Sequence, residues 1–243
     1  MISKIIENNL SPLTDYIYGV ADLTGLVDKN YGEYKYGISI GRRLNDSIID
    51  NIKSGPTIEY FNHYNQINNE LTDIAERIKD ELKKTNIESI IIKPTIHTNS
   101  KEFKKYLKTL TVGISHKMVA TRAGLGWIGK TDLLISKDFG PRLRLVSLLI
   151  NRKPEIDSLA IESSKCGNCD ICIKSCPAQA ANGIPWNIHI HRDKFFNAHK
   201  CREKCGELSR QNLNIDKRIC GICVAVCPIG TSRNKEFTAA KKC

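Results

Sequence analysis

No apolar run in this 243-residue chain approaches the roughly 20 residues needed to cross a bilayer, which argues against a membrane-spanning helix. The N-terminus, Met1-Ile2-Ser3-Lys4, leads directly into polar, amphipathic sequence, so no secretory signal is expected and the reading is cytoplasmic. Internal repeats and low-complexity segments are also missing. The first 150 residues contain no cysteine, whereas residues 151–243 contain all ten. In a reducing compartment ten thiols are not expected to pair as disulfides, which leaves metal ligation or redox chemistry. The step in cysteine content puts the expected domain boundary near Asn151-Arg152-Lys153-Pro154, a polar, proline-containing stretch.

In 1–150, Lys35–Ile40, Ser89–Lys93, Leu133–Ser136 and Leu143–Ile150 are short β-branched or aliphatic runs expected to form strands. Residues 57–84 end in a helical pattern. Leu71, Ile74, Ile78 and Leu82 recur at steps of three and four, with Glu70, Asp73, Glu76, Lys79, Asp80 and Lys83 on the other face. Lys101–Leu110 is a second expected helix, capped by Ser100. Strands alternating with helices predict an α/β or α+β layer structure for this cofactor-binding domain.

The second part is organised by cysteine. Cys166-x2-Cys169-x2-Cys172-x3-Cys176-Pro177 has the spacing of the bacterial ferredoxin run, in which the fourth cysteine ligates the other cluster. A near-copy follows at Cys220-x2-Cys223-x3-Cys227-Pro228, with Lys217 where a further cysteine would stand. Crossed ligation assigns Cys166, Cys169, Cys172 and Cys227 to one 4Fe–4S cluster. It assigns Cys176, Cys220 and Cys223 to a second, which needs one more thiolate from Cys201, Cys205 or Cys243. Structural zinc also uses Cys-x2-Cys knuckles but does not call for three-plus-one runs closed by Cys-Pro. Residues 151–243 are therefore expected to form a ferredoxin-like domain with two 4Fe–4S clusters.

Gly124-Leu125-Gly126-Trp127-Ile128-Gly129-Lys130-Thr131 satisfies both the dinucleotide fingerprint and the P-loop pattern. Both require a strand before and a helix after. Here the preceding Ser115–Ala123 is helix-like and the following Asp132–Ser136 strand-like, so a phosphate site is not supported and a plain glycine turn stays open. The segment Lys117–Lys130, together with Leu133-Leu134-Ile135, Phe139-Gly140 and the two cysteine runs, resembles the epoxyqueuosine reductase family. These are cobalamin-dependent iron–sulfur enzymes acting on tRNA, related in plan to reductive dehalogenases.

The resemblance implies electrons passing through two clusters to a corrinoid, supplied by a low-potential donor of ferredoxin or flavodoxin type. It implies Cys201 as the eighth cluster ligand, and corrinoid contacts from Gly124, Leu125, Gly126, Trp127, Gly129 and Lys130. The family's acidic residue, about thirteen positions before the signature, is replaced by Leu110-Thr111, which makes His116 the candidate proton donor. The missing acid also keeps open a second reading: an electron-transfer protein or reductive activator of a separate corrinoid protein. The chain stops fifteen residues after Pro228, without the family's helical-repeat region, which counts against tRNA as substrate. The net charge of +11 hints at an acidic partner, but eight thiolates and two oxidised cluster cores would lower it to about +7.

Overall fold

The computed structural model describes residues 1–95, 101–156 and 158–230. In chain order the elements begin with α1 (Ile2–Asn8), β1 (Tyr16–Asp22), β2 (Tyr36–Arg43), α2 (Asp46–Asp50), α3 (Ile58–Lys84), β3 (Ser89–Ile92) and α4 (Lys101–Thr109). They continue with α5 (His116–Arg122), β4 (Gly126–Ile128), β5 (Leu134–Ser136), β6 (Leu143–Ile150), α6 (Ile171–Lys174), α7 (Ala198–Leu213) and α8 (Ile222–Ala225). The expected strands and both expected helices are present. The proposed Ser100 cap, Cys243 and the basic tail lie outside the described residues.

The chain divides into two compact units that interleave along the sequence. Met1–Arg42, Gln66–Leu125 and Arg144–Ile161 form the first; Arg43–Asn65, Gly126–Leu143 and the residues from Glu162 on form the second. Composition alone suggests a single cut near Asn151. Two earlier segments join the cysteine-rich unit because its loops, poor in regular structure, need them as apolar and ionic partners.

The first unit is built on a four-stranded sheet of order β1-β2-β6-β3, with β1/β2 and β3/β6 antiparallel. The two central strands are buried on both faces, over Gly37–Gly41 of β2 and Val146–Ile150 of β6. That explains why they read as continuous apolar runs rather than alternating ones. The α3 stripe is buried as its spacing requires, with Leu71, Ile78 and Leu82 at 0 % exposure and Ile74 at 2 %. Each such side chain contributes about 1.5–3 kcal/mol. On another face, α5 packs against β1. A methyl at Gly37 would stand 2.8 Å from side-chain atoms of Leu23 and Val119, so this glycine permits the close approach.

In the second unit β4 and β5 form a hairpin, and α6 packs against α8. Arg142, 1 % exposed, is held by Asp46 at 3.0 Å and Asp50 at 2.7 Å, and donates to the Ala225 carbonyl at 3.3 Å. One buried guanidinium thus ties α2 to the end of α8. Gly140 has φ +55°, and a methyl there would lie 1.9 Å from the Ile229 carbonyl oxygen. The chain just after the second cysteine run is seated on that glycine. Among the described residues no helix is long and apolar enough to cross a membrane.

Candidate metal centre

The first cysteine run folds as a loop into a one-turn helix. The Cys169 amide donates to the Cys166 carbonyl at 3.2 Å, Gly167 takes φ +53°, and Cys172 stands in α6. Cys176 follows the end of α6, and Cys227 follows the end of α8. Because α6 and α8 pack together, Cys227 comes within electrostatic reach of Cys172, Cys166 and Cys169. Burial first, and then those three thiols, push Cys227 up to about 12, against an opposing backbone hydrogen bond from Ile229. Burial and the charges of Cys166 and Cys169 also raise Cys172, while the Thr131 hydroxyl opposes them by hydrogen bonding. Thiols gathered this way resist ionising alone; a bound cation supplies the charge that stabilises the thiolates.

The second group gathers on α7 and the second run. Cys201 and Cys205, one turn apart, place their sulfurs 3.9 Å from each other. Cys205 is hydrogen-bonded to Cys220 as well, and these bonds raise it while lowering Cys201, and lowering Cys220 to about 7. Cys223 is raised by burial and then by Cys220 and Cys201, and again Thr131 opposes. The Thr131 hydroxyl therefore serves a cysteine of each group. Among the described residues no three His, Cys, Asp or Glu side chains converge as ligands of a single ion. An all-thiol donor set divided between two groups fits iron–sulfur clusters in its chemistry.

The glycine signature has the setting that its sequence context predicts. It lies in a helix–strand–turn–strand segment, α5 then β4 and β5, without the following helix that a phosphate loop needs. Methyls at Gly126 and Gly129 would lie 2.2 Å and 2.9 Å from Ile135, and one at Gly124 would lie 2.7 Å from the Leu159 carbonyl oxygen. Leu125 packs against the position of Gly19. The close approaches these residues make are thus of the chain to itself. Trp127 donates its indole N–H to Cys166 Sγ at 3.3 Å. Lys130, 7 % exposed, donates its ammonium to the carbonyls of Gly167 at 2.8 Å and Cys169 at 3.0 Å. The residues expected to touch a corrinoid make these contacts within the protein, and those from Gly126 on belong to the cysteine-rich unit.

His116 opens α5 in the first unit, and both its ring nitrogens are committed. Nε2 lies 3.0 Å from the Lys93 carbonyl, which only accepts, so Nε2 carries the proton and Nδ1 accepts from the Ser147 hydroxyl at 2.9 Å. Burial, with a smaller contribution from the Arg144 charge, lowers its pKa to about 4. The neutral ring bridges the residue after β3 to β6. The arginines of this part are likewise internal partners. Arg42 pairs with Asp15 and Glu70 at 3.0 and 2.8 Å, and Arg144 donates to Asn68 at 3.0 Å.

The roles of Trp127, Lys130 and Thr131 were not legible from spacing alone, because the β4–β5 hairpin that aims them is set by contacts with distant loops. Cys205, one of the three candidates for the eighth thiolate, stands four residues after Cys201 in α7, so both face the second group.

No family model matches the chain. Among curated proteins it is 33 % identical over 126 residues to an epoxyqueuosine reductase of Lactococcus garvieae, covering 49 % of this chain and 33 % of that protein. It is 35 % identical over 118 residues to one of Synechocystis sp., covering 47 % and 39 %. The matches span little more than a third of the length of these relatives. In fold it is similar to a reductive dehalogenase described with a mechanism for B12-dependent dehalogenation, at TM-score 0.64 and 14 % identity, covering 92 % of this chain and 31 % of that one. It is also similar to an epoxyqueuosine reductase solved with an epoxyqueuosine-modified tRNA-Tyr stem loop, at TM-score 0.58 and 16 % identity, covering 95 % and 64 %. The chain is thus similar in sequence to epoxyqueuosine reductases over about half its length, and similar in fold to one of them and to a reductive dehalogenase over nearly all of it.

Proposed function

We propose that this chain is a cytosolic iron–sulfur oxidoreductase of the epoxyqueuosine reductase type, carrying two 4Fe–4S clusters that relay single electrons. The observation that carries this reading is the packing of α6 on α8, which brings Cys227, from the second run, within electrostatic reach of Cys172, Cys166 and Cys169 of the first. Crossed ligation is what the two ferredoxin-type spacings call for. Cys176, Cys220 and Cys223 would hold the second cluster with Cys201, and the neighbouring Cys205 is the competing eighth thiol. Lys130 would hold the loop of the first cluster through two backbone carbonyls, keeping Cys166 and Cys169 oriented. Thr131, reaching Cys172 and Cys223, would lie by a ligand of each.

When bound, a corrinoid would supply the strongly reducing centre that the relatives' chemistry needs; that part of the reading rests on the likeness and not on the glycine signature. A low-potential ferredoxin or flavodoxin would supply the electrons. The relative solved with a tRNA stem loop makes a modified tRNA the substrate to test first, and a net charge of about +7 with both clusters bound suits a polyanion. A second reading, an electron-transfer protein serving a separate corrinoid protein, is favoured by one feature. Where the family has an acid, this chain has Leu110, buried at 8 % exposure with φ +52°, and Thr111.

Anaerobic purification with metal and sulfide analysis, followed by cobalamin titration, tests both readings. About eight iron and eight sulfide per chain are expected, with stoichiometric cobalamin uptake and a base-off cobalt spectrum. Zinc at about two per chain overturns the cluster assignment. Full iron with an unchanged cobalamin spectrum selects the electron-transfer reading.

A further inference from the structure

We propose that Trp127 sets the reduction potential of the cluster held by Cys166, Cys169, Cys172 and Cys227, by donating its indole N–H to the Cys166 sulfur. The inference rests on the cluster reading and reassigns the centre of the glycine signature from cofactor contact to cluster tuning.

The indole nitrogen is 3.3 Å from Cys166 Sγ, within reach of an N–H···S hydrogen bond. An indole N–H is a donor only and does not titrate, so its effect on a neighbouring thiolate is that of a fixed dipole. Reducing the cluster adds one electron, whose charge spreads partly onto the ligand sulfurs. A donor aimed at a sulfur stabilises that more negative state and raises the potential. Trp127 is only 7 % exposed, so little water competes for the bond, and the low local dielectric strengthens it.

The geometry is held from both sides. Trp127 lies in β4, paired through Ile135 of β5, and a methyl at the neighbouring Gly126 would come within 2.2 Å of the Ile135 carbonyl oxygen. The hairpin therefore closes tightly and fixes the direction of the indole. Opposite, Lys130 binds the carbonyls of Gly167 and Cys169, so the loop that bears Cys166 is clamped by the same hairpin. Cys166 belongs to the first cysteine group, so the hydrogen bond acts on one cluster of two and separates their potentials. In a relay, that difference gives the electrons a direction.

The test is an EPR-monitored reductive titration of the anaerobic holoprotein, comparing the parent with two variants. One is Trp127→Phe. The other carries 3-benzothienylalanine at position 127, introduced by nonsense suppression, which keeps the bicyclic shape and replaces N–H by sulfur. Both variants are expected to keep about eight iron per chain. One of the two midpoint potentials is expected to move down, the other to stay, and an exchangeable-deuteron coupling to the reduced cluster to disappear. Two unchanged midpoints with full iron overturn the proposal, as does an equal shift of both. Loss of iron in both variants overturns it too, since Trp127 would then hold the loop and not tune it. A parent protein without iron fails the cluster reading instead, so the two failures are distinguishable.

Discussion

In the first unit α3 turns Leu71, Ile74, Ile78 and Leu82 inward and two central strands bury runs of five residues, whereas the second unit, α7 apart, is made of short pieces: α6 and α8 of four residues each and a hairpin with three residues in each strand. The second unit buries apolar residues of its own, Ile49, Ile52 and Phe195 among them, and adds polar ties of specific geometry: Arg142 on Asp46, Asp50 and Ala225, Lys130 on the loop carbonyls, Trp127 on Cys166. Helices of four residues do not order themselves alone, and two groups of thiols in one unit would repel if ionised without metal. The contrast teaches that the second unit depends on what its cysteines bind, because the free energy of binding is there part of the free energy of folding.

The largest expected effect separates the units outright. Cys227→Ser removes the ligand that crosses from the second run and should lower iron from about eight to about four per chain. Limited proteolysis should then cut within 162–230 while the four-stranded sheet survives. Iron that stays near eight would break the crossed assignment, and sheet loss would break the independence of the units. Next comes the converse change. Ile78 is fully buried, and Ile78→Ala should cost the first unit about 3–4 kcal/mol in urea unfolding followed by far-ultraviolet circular dichroism. Iron per folded chain should not change; a parallel fall would tie both units to one core.

The same contrast decides what the sequence could tell. The α3 face was legible because a 3.6-residue period is a local property, and β6 because a strand buried on both faces is apolar throughout. The cysteine runs were legible because cluster chemistry dictates spacing. β1 escaped notice: Tyr16–Asp22 mixes Gly19 and Asp22 with apolar residues, and becomes a strand by pairing with β2. α7 was missed because His199, Lys200, Arg202, Glu203 and Lys204 cover its first turns, leaving only Gly206, Ser209 and Leu213 buried. The glycine signature is legible only in part. Its glycines meet Ile135 on the adjoining strand and Leu159 farther along the chain, and a pattern of glycines does not say which partner comes close.

The smallest effect lies in the first unit and concerns the strongly perturbed His116. His116 has a pKa of about 4 in the folded protein, below the roughly 6.5 of an unfolded chain. The unfolded state therefore binds the extra proton first as pH falls. The stability this histidine contributes is complete above about pH 6.5 and is lost progressively toward pH 4, about 2 kcal/mol of it between pH 7 and 5. His116→Gln removes the titrating ring, so the gap between wild type and variant in urea unfolding should shrink over that range. Reading the difference cancels the acid sensitivity of the second unit, whose thiolates and clusters are common to both proteins. Parallel pH profiles would mean that the ring is not held neutral between Lys93 and Ser147, and would return His116 to the residues able to hand a proton to a substrate.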